Sequence, residues 1–294
     1  VIMDLRDIKF GVEIETVKRT RKQVAAAIQT IVGGGITHIG SPTCFDPYHI
    51  VADDGRVWKV MADASLSNTP KNMQAEIVSP ILTYDDIPMI QRIVRQVRTG
   101  AGAKISKQCG IHIHIDASVF TPKAIANLVK IVNKQEDLIV EALGVNHARL
   151  VKYAKKVKQD LVRDIVRRRP RTIEQLNRLW YGYRNYNPSH FDSTRYYGLN
   201  LHNIWYRGTL EIRYFEGTLH AGKIKAYLQF CLALSAKAIN AKGASAKKRS
   251  LSNQSSKYDF RVFLLSLGLI GREFKTARYH LLSNLQGDIA WKAS

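Results

Sequence analysis

With 294 residues, 45 % of them hydrophobic and 23 % charged, the chain has the composition of a soluble globular protein and enough length to bury a substantial core in one large domain. No apolar run approaches the roughly 20 residues that span a bilayer, and Val1 to Arg6 lacks the apolar stretch of a signal peptide, so no membrane partner is expected. Cys44, Cys109 and Cys231 are too few and too scattered for a disulfide framework or a CxxC zinc site; a reducing, cytoplasmic setting, cellular or viral, is expected.

The elements read as follows. Ile8 to Thr16 alternates apolar and polar residues, as a half-buried strand does. A helix over Arg19 to Val32 stops at Gly33-Gly34-Gly35. His49–Ala52 and Arg56–Met61 flank Asp53-Asp54-Gly55 and predict a β-hairpin. Gln74–Ser79 is a short strand before Pro80, and Tyr84–Thr99 carries Ile87, Ile90, Val94 and Val97 on one helical face. Ile111–Asp116 alternates as a strand. Thr121-Pro122 then opens a helix that runs to Leu143 and ends at Gly144. Ala148–Arg169 predicts a second long helix, with Val151, Ala154, Val157, Leu161 and Ile165 as its stripe and Pro170 as its stop. A short helix over Thr172–Tyr181 leads into a loop rich in Tyr, Asn and Ser, and Tyr197–Asn203 and Thr209–Phe215 predict a strand pair. Gly222–Ala241 is helical. Residues 242–257, rich in Ser, Lys and Ala, predict a mobile loop, and helices near Asp259–Leu267 and Arg272–Asn284 pack on the same domain. Strands and helices mix without a βαβ rhythm, so the fold class is α+β with a largely antiparallel sheet.

Three strands each put ionisable groups on one face, because side chains two apart on a strand point the same way. Glu13 and Glu15 oppose Phe10, Val12 and Ile14; His112, His114 and Asp116 oppose three isoleucines; Glu211 and Arg213 share a third face. Two carboxylates in a partly desolvated site repel each other and lose hydration, and the usual remedies are protonation, an arginine or a bound cation. Taken singly, an ExE pair marks a solvated sheet face, an HxH pair a satisfied histidine and an ExR pair a cross-strand ion pair. Their joint occurrence, each opposite an apolar stripe, points to a divalent cation with phosphate nearby. Carboxylate oxygens with one imidazole suit magnesium or manganese.

These motifs resemble those of the amidoligase family, a branch of the carboxylate–amine ligase superfamily that also holds glutamate–cysteine ligases and glutamine synthetase. Phe10-Gly11-Val12-Glu13-Ile14-Glu15 is similar to the FGxExE opening, Gly110-Ile111-His112-Ile113-His114 to the GxHxH strand, and Glu211-Ile212-Arg213 through Thr218 to the ExR…T strand. Ala62-Asp63-Ala64-Ser65-Leu66 and Ala75-Glu76-Ile77-Val78-Ser79-Pro80 match two blocks between them, in order, so that the resemblance covers Lys9 to Tyr227. It implies a glutamine-synthetase-like sheet curved into a half-open barrel, and a catalytic domain over residues 1–241. It implies ATP and Mg²⁺ (or Mn²⁺) as cofactors, and an amide bond formed between a carboxylate substrate and an amine substrate through an acyl phosphate. Carried over, Glu15 and Glu76 hold one cation, and Glu13, His112 and Glu211 a second. His114 contacts ATP phosphate, Arg213 steadies the transferring phosphoryl group, Arg195 binds phosphate or the substrate carboxylate, and Asp63 lies on the amine side. No GxxxxGK[ST] loop is present, so a P-loop NTPase is not supported.

The charge adds a rival expectation. A net charge of +21, from 45 Lys and Arg against 24 Asp and Glu, attracts polyanions but says nothing about fold. Residues 148–171 carry ten Lys and Arg, with Tyr181, Tyr183, Tyr186, Tyr196 and Tyr197 following, which allows a nucleic-acid contact through a basic surface as well as a solvated helix face, with the tyrosines equally suited to line a substrate cleft or pack in a core. The two alternatives to the ligase are a nucleic-acid-binding protein and a metal hydrolase built on His112, His114 and a glutamate.

Overall fold

A computed structural model describes residues 2–40, 45–251 and 254–292. In chain order the first half contains β1 (Phe10–Val17), α1 (Arg21–Val32), β2 (Gly35–His38), β3 (Tyr48–Val51), β4 (Val57–Met61), β5 (Gln74–Val78), α2 (Ile87–Thr99) and β6 (Gly110–Asp116). The second half contains α3 (Pro122–Leu143), α4 (His147–Lys152), α5 (Gln159–Arg168), α6 (Ile173–Tyr181), β7 (Leu199–Asn200), α7 (His202–Tyr206), β8 (Thr209–Glu216), α8 (Ala221–Asn240), α9 (Ser256–Ser266) and α10 (Lys275–Leu282). The sheet order is β2-β3-β4-β5-β1-β6-β8-β7, and β1–β5, β2–β3, β3–β4, β4–β5 and β7–β8 pair antiparallel. The class is therefore the expected one, α+β with an open, largely antiparallel sheet and flanking helices.

The chain divides into two compact units, neither continuous in sequence. The first unit comprises Lys9–Ile113 and Phe215–Leu228. Its β1 and β5 pair so that Glu15 lies opposite Glu76 and Ile14 opposite Ile77. Helix α1 begins at a reciprocal cap between Thr20 and Gln23, which satisfies two backbone N–H groups that the first turn leaves without helical partners. It ends at Gly33, whose φ of 72° few side chains tolerate. Its buried Val24, Ala25 and Ile28 pack toward α2, β3 and β4. The β3–β4 hairpin turns through Asp53-Asp54-Gly55 as the sequence predicts.

The second unit comprises Val1–Ile8, His114–Tyr214 and Gln229–Ser294. Helix α3 has the ends its sequence announces. The Thr121 side chain accepts from the Ala124 N–H, Pro122 stands in the first turn, and Gly144 closes the helix in the left-handed region. Its buried Ile125, Leu128, Val132 and Ile139 form much of this unit's core. Residues 241–251 carry neither helix nor strand, but Asn133 Nδ2 donates to Ala246 O and Arg249 N–H donates to Lys134 O, so this stretch is fastened to α3. Ser252 and Asn253, within the expected loop 242–257, lie outside the described residues, as does Cys44. Among the described residues no helix is long and apolar enough to cross a membrane.

Three local expectations need correction. The long helix over Ala148–Arg169 is two short ones, α4 and α5. Between them Lys155 N–H donates to Tyr196 O and Gly198 N–H donates to Lys155 O, so a strand-like bridge takes the hydrogen bonds that a continuous helix needs. Ala154 and Val157 are buried by that bridge, and Val151 is exposed. The strand expected over Tyr197–Asn203 is only two residues long and turns into α7. Gly35, expected to close a helix, opens β2.

Candidate functional site

In the first unit the alternation of β1 buries Phe10, Val12 and Ile14 on one face and leaves Glu13 and Glu15 on the other. Their opposite numbers come from the β5 register, in which Glu76 faces Glu15 directly. Directly opposed side chains on paired strands have Cβ atoms roughly 4.5–5.5 Å apart, so two carboxylates there repel strongly unless something positive joins them. Beside them stands His112 on β6: its Nδ1 lies 3.0 Å from Glu13 Oε2, and its Nε2 3.7 Å from Glu15 Oε1. Glu15 Oε2 accepts the Gly110 backbone N–H at 2.7 Å. Donor atoms of Glu13, Glu76 and His112 lie within 4.8 Å of one another, and so do those of Glu15, Asp63 and Glu76. The two triads share Glu76. Four hard carboxylates and one imidazole, with Glu15, Glu76 and His112 buried and Glu13 and Asp63 half-buried, match the ligand preferences of magnesium or manganese. Asp63, expected on the amine side, sits with Glu15 and Glu76, and its own carboxylate also accepts the Ser65 N–H at 2.5 Å.

The second unit holds the remaining sequence-predicted residues in a different environment. Glu211 and Arg213 share one face of β8, and both are buried. Glu211 Oε2 accepts hydrogen bonds from Asn200 Nδ2 and Asn203 Nδ2, each at 2.6 Å. Arg213 Nη1 lies 3.3 Å from Glu211 Oε1, a charge contact that does not meet hydrogen-bond geometry. Among the described residues Arg213 Nε and Nη1 have no hydrogen-bond partner, although the side chain is only 4 % exposed. A buried guanidinium with unused donors is costly unless an anion takes them. Arg213 and Arg195 both approach the Tyr196 ring, at 5.7 and 5.6 Å from its centroid. Arg195 also donates to His190 O. His114 Nδ1 lies 3.1 Å from Thr209 Oγ1.

The backbone under these groups is held tightly. Arg213 N–H donates to Gly198 O at 2.8 Å, and Gly198 lies so close to the Tyr214 ring that a Cβ there would fall 2.0 Å from a ring carbon. The buried Tyr214 hydroxyl donates to Glu136 Oε1 at 2.6 Å, and the same oxygen accepts Val157 N–H at 2.8 Å. Burial pushes the Glu136 carboxyl above its ordinary range, against the pull of those two hydrogen bonds. Burial likewise lowers the pKa of His202, which favours its neutral form.

Asn200 and Asn203, the amide partners of Glu211, are not among the residues expected from the sequence. Asn200 falls in the expected strand, and Asn203 gains its position only because α7 turns the chain. Two asparagines three apart just before an ExR strand are the signal that was available.

A family model described as "Putative amidoligase enzyme" matches residues 6–235. No curated protein matches. Among solved structures, a bifunctional glutathione synthetase from Pasteurella multocida is similar at 12 % identity and a TM-score of 0.41. The match covers 96 % of this chain and 48 % of that one, so the chain spans about half the length of that relative. On the family match, which extends over most of the sequence and includes every ionisable strand residue described above, the chain belongs to the amidoligase family.

Proposed function

We propose that this protein is an ATP- and magnesium-dependent ligase that joins a carboxylate to an amine through an acyl phosphate. The observation that carries the reading is the pair of overlapping acid triads, Glu13–Glu76–His112 and Glu15–Asp63–Glu76, inside a family of amide-forming enzymes. Divalent cations held there would neutralise the phosphate oxygens of ATP.

A carboxylate is a poor acyl donor, because its leaving group would be an oxide. Attack by its oxygen on the γ-phosphorus breaks the bond to ADP and leaves an acyl phosphate. The amine lone pair then attacks the carbonyl carbon, phosphate departs, and the ammonium intermediate loses a proton. Phosphoryl transfer of this kind depends on positioning and on neutralising charge. In this reading the Nε and Nη1 donors of Arg213 bind an oxygen of the phosphoryl group in transit. Glu211, held by Asn200 and Asn203, keeps the guanidinium oriented. Arg195, against the same Tyr196 ring, takes a second anionic oxygen, of phosphate or of the substrate carboxylate. His114 is proposed as a phosphate contact, and its Thr209 hydrogen bond sets the ring's orientation.

The test is a phosphate-release screen with magnesium-ATP across pools of acids and amines, read alongside mass spectrometry for a condensation product. The expected result is ADP and phosphate released only when both an acid and an amine are present, and lost in Glu15→Gln. Hydrolysis that proceeds without ATP, on zinc or iron, would replace this reading with a metal hydrolase.

A further inference from the structure

The second unit carries a feature that, Arg195 apart, the proposed amide formation does not use. Of the chain's charged residues, 30 Lys and Arg and 14 Asp and Glu fall in this unit, against 15 and 10 in the first. The excess charge is therefore +16 in one unit and +5 in the other. The basic α5, with Arg163, Arg167 and Arg168, packs on α6, and α6 ends at Tyr181.

From Tyr181 a continuous aromatic ladder begins. Tyr183 lies 6.1 Å from Tyr181, and Tyr181 5.9 Å from His202. His202 stacks on Tyr206 at 5.8 Å with planes 21° apart, and Tyr206 stacks on His190 at 5.6 Å with planes 22° apart. His190 meets Phe191 at 4.5 Å. The inner rungs are fixed: His202 is buried, and its Nδ1 lies 2.6 Å from the Tyr181 hydroxyl. The outer rings are open. Tyr183 is 61 % and Phe191 71 % exposed, and Tyr186, outside the ladder but close to it in sequence, is 77 % exposed. Two arginines meet the ladder, Arg207 over Tyr206 at 5.6 Å and Arg195 bonded to His190 O, and Arg184 lies over Tyr186 at 4.5 Å. Between residues 178 and 207 there are four arginines and a single acid, Asp192.

Large apolar rings left in water on a rigid base have an energetic cost, and guanidinium groups beside them repel one another. A partner that relieves both must offer flat π-faces and negative charge along one flexible chain. We infer that this ladder binds single-stranded nucleic acid, with unpaired bases stacking on Tyr183, Tyr186 and Phe191 and phosphates meeting the arginines. An acidic polypeptide satisfies the charge and leaves the rings uncovered. A duplex satisfies the charge and hides its base faces.

The experiment is fluorescence anisotropy with a labelled 12-nucleotide single strand, its duplex and a poly-glutamate of equal charge, each titrated over a range of salt. The expected result is single-strand binding with a log–log salt slope of about −3, from some four phosphate contacts at roughly 0.7 each. The triple variant Tyr183→Ala/Tyr186→Ala/Phe191→Ala, all at exposed positions, should weaken it about 5-fold or more per ring engaged. Glu15→Gln should leave it unchanged, which separates this inference from the ligase reading. Three results each overturn it: no single-strand binding, equal affinity for duplex or poly-glutamate, or binding that the triple variant leaves intact.

Discussion

Glu15 and Glu211 are both buried carboxylates on strands of one sheet, yet their neighbours are opposite in kind. Glu15, in the first unit, looks across the β1–β5 ladder at Glu76, with Asp63 beside it and Glu13 and His112 close by. Glu211, in the second, is met by two amide donors and a guanidinium. The first arrangement gathers four carboxylates around one imidazole, and under the proposed function divalent cations would join them. In the second, two amides and a guanidinium meet the carboxylate, and among the described residues Arg213 Nε and Nη1 have no hydrogen-bond partner.

That contrast can be broken by removing one charge at a time. The largest effect is expected on activity. Glu15→Gln should lower ligation by about 10³-fold or more, and Mg²⁺ should no longer raise the melting temperature. In the wild type, saturation to 100 times Kd should add about 2.7 kcal/mol. A magnesium-induced shift that persists in Glu15→Gln would place the cations elsewhere. Arg213→Met should lower ligation comparably and also cost about 3–5 kcal/mol of stability in denaturant unfolding, since Glu211 is then left with an uncompensated buried charge. Asn203→Ala removes one hydrogen bond to that carboxylate and should cost about 1.5–3 kcal/mol.

The smallest change carries the opposite sign. Without added metal, Glu76→Gln should stabilise the protein by about 1 kcal/mol, because it relieves repulsion with Glu15. A loss of stability there would mean that the acid cluster is neutralised within the protein, and the two units would then not differ as described.

A pH experiment sharpens the comparison at a carboxylate outside both sets. The folded-state pKa of Glu136 is raised by burial, so the folded protein binds its proton more tightly than the unfolded chain does. The corresponding stability is fully present below the ordinary glutamate value of 4.5 and is lost as pH rises through the higher folded value. Measured against Glu136→Gln, the wild type should therefore lose relative stability as pH rises above about 4.5. A difference between the two that does not change with pH would show that Glu136 titrates normally.

The strand faces that carry the candidate residues were legible in the sequence. Period-two alternation places Glu13 with Glu15, His112 with His114 and Glu211 with Arg213, because the pleat leaves a strand no other choice. The ends of α3 were equally plain, since Thr121, Pro122 and Gly144 each satisfy a local backbone requirement within one turn. The break between α4 and α5 was not. Residues 148–169 have a helical stripe, and what interrupts it is a bridge to Tyr196 and Gly198, more than 40 residues downstream.

Local sequence thus determined the faces of the strands, the caps of the helices and the family to which their motifs belong, because each depends on steric and hydrogen-bonding preferences acting over a few residues. Tertiary structure alone decided which faces meet. The β1–β5 register put Glu76 opposite Glu15 instead of Glu13, the chain path brought Asp63 to them, and the turn at α7 delivered Asn203 to Glu211. Those outcomes rest on long-range pairing and burial, whose energies depend on partners that no short window of sequence contains.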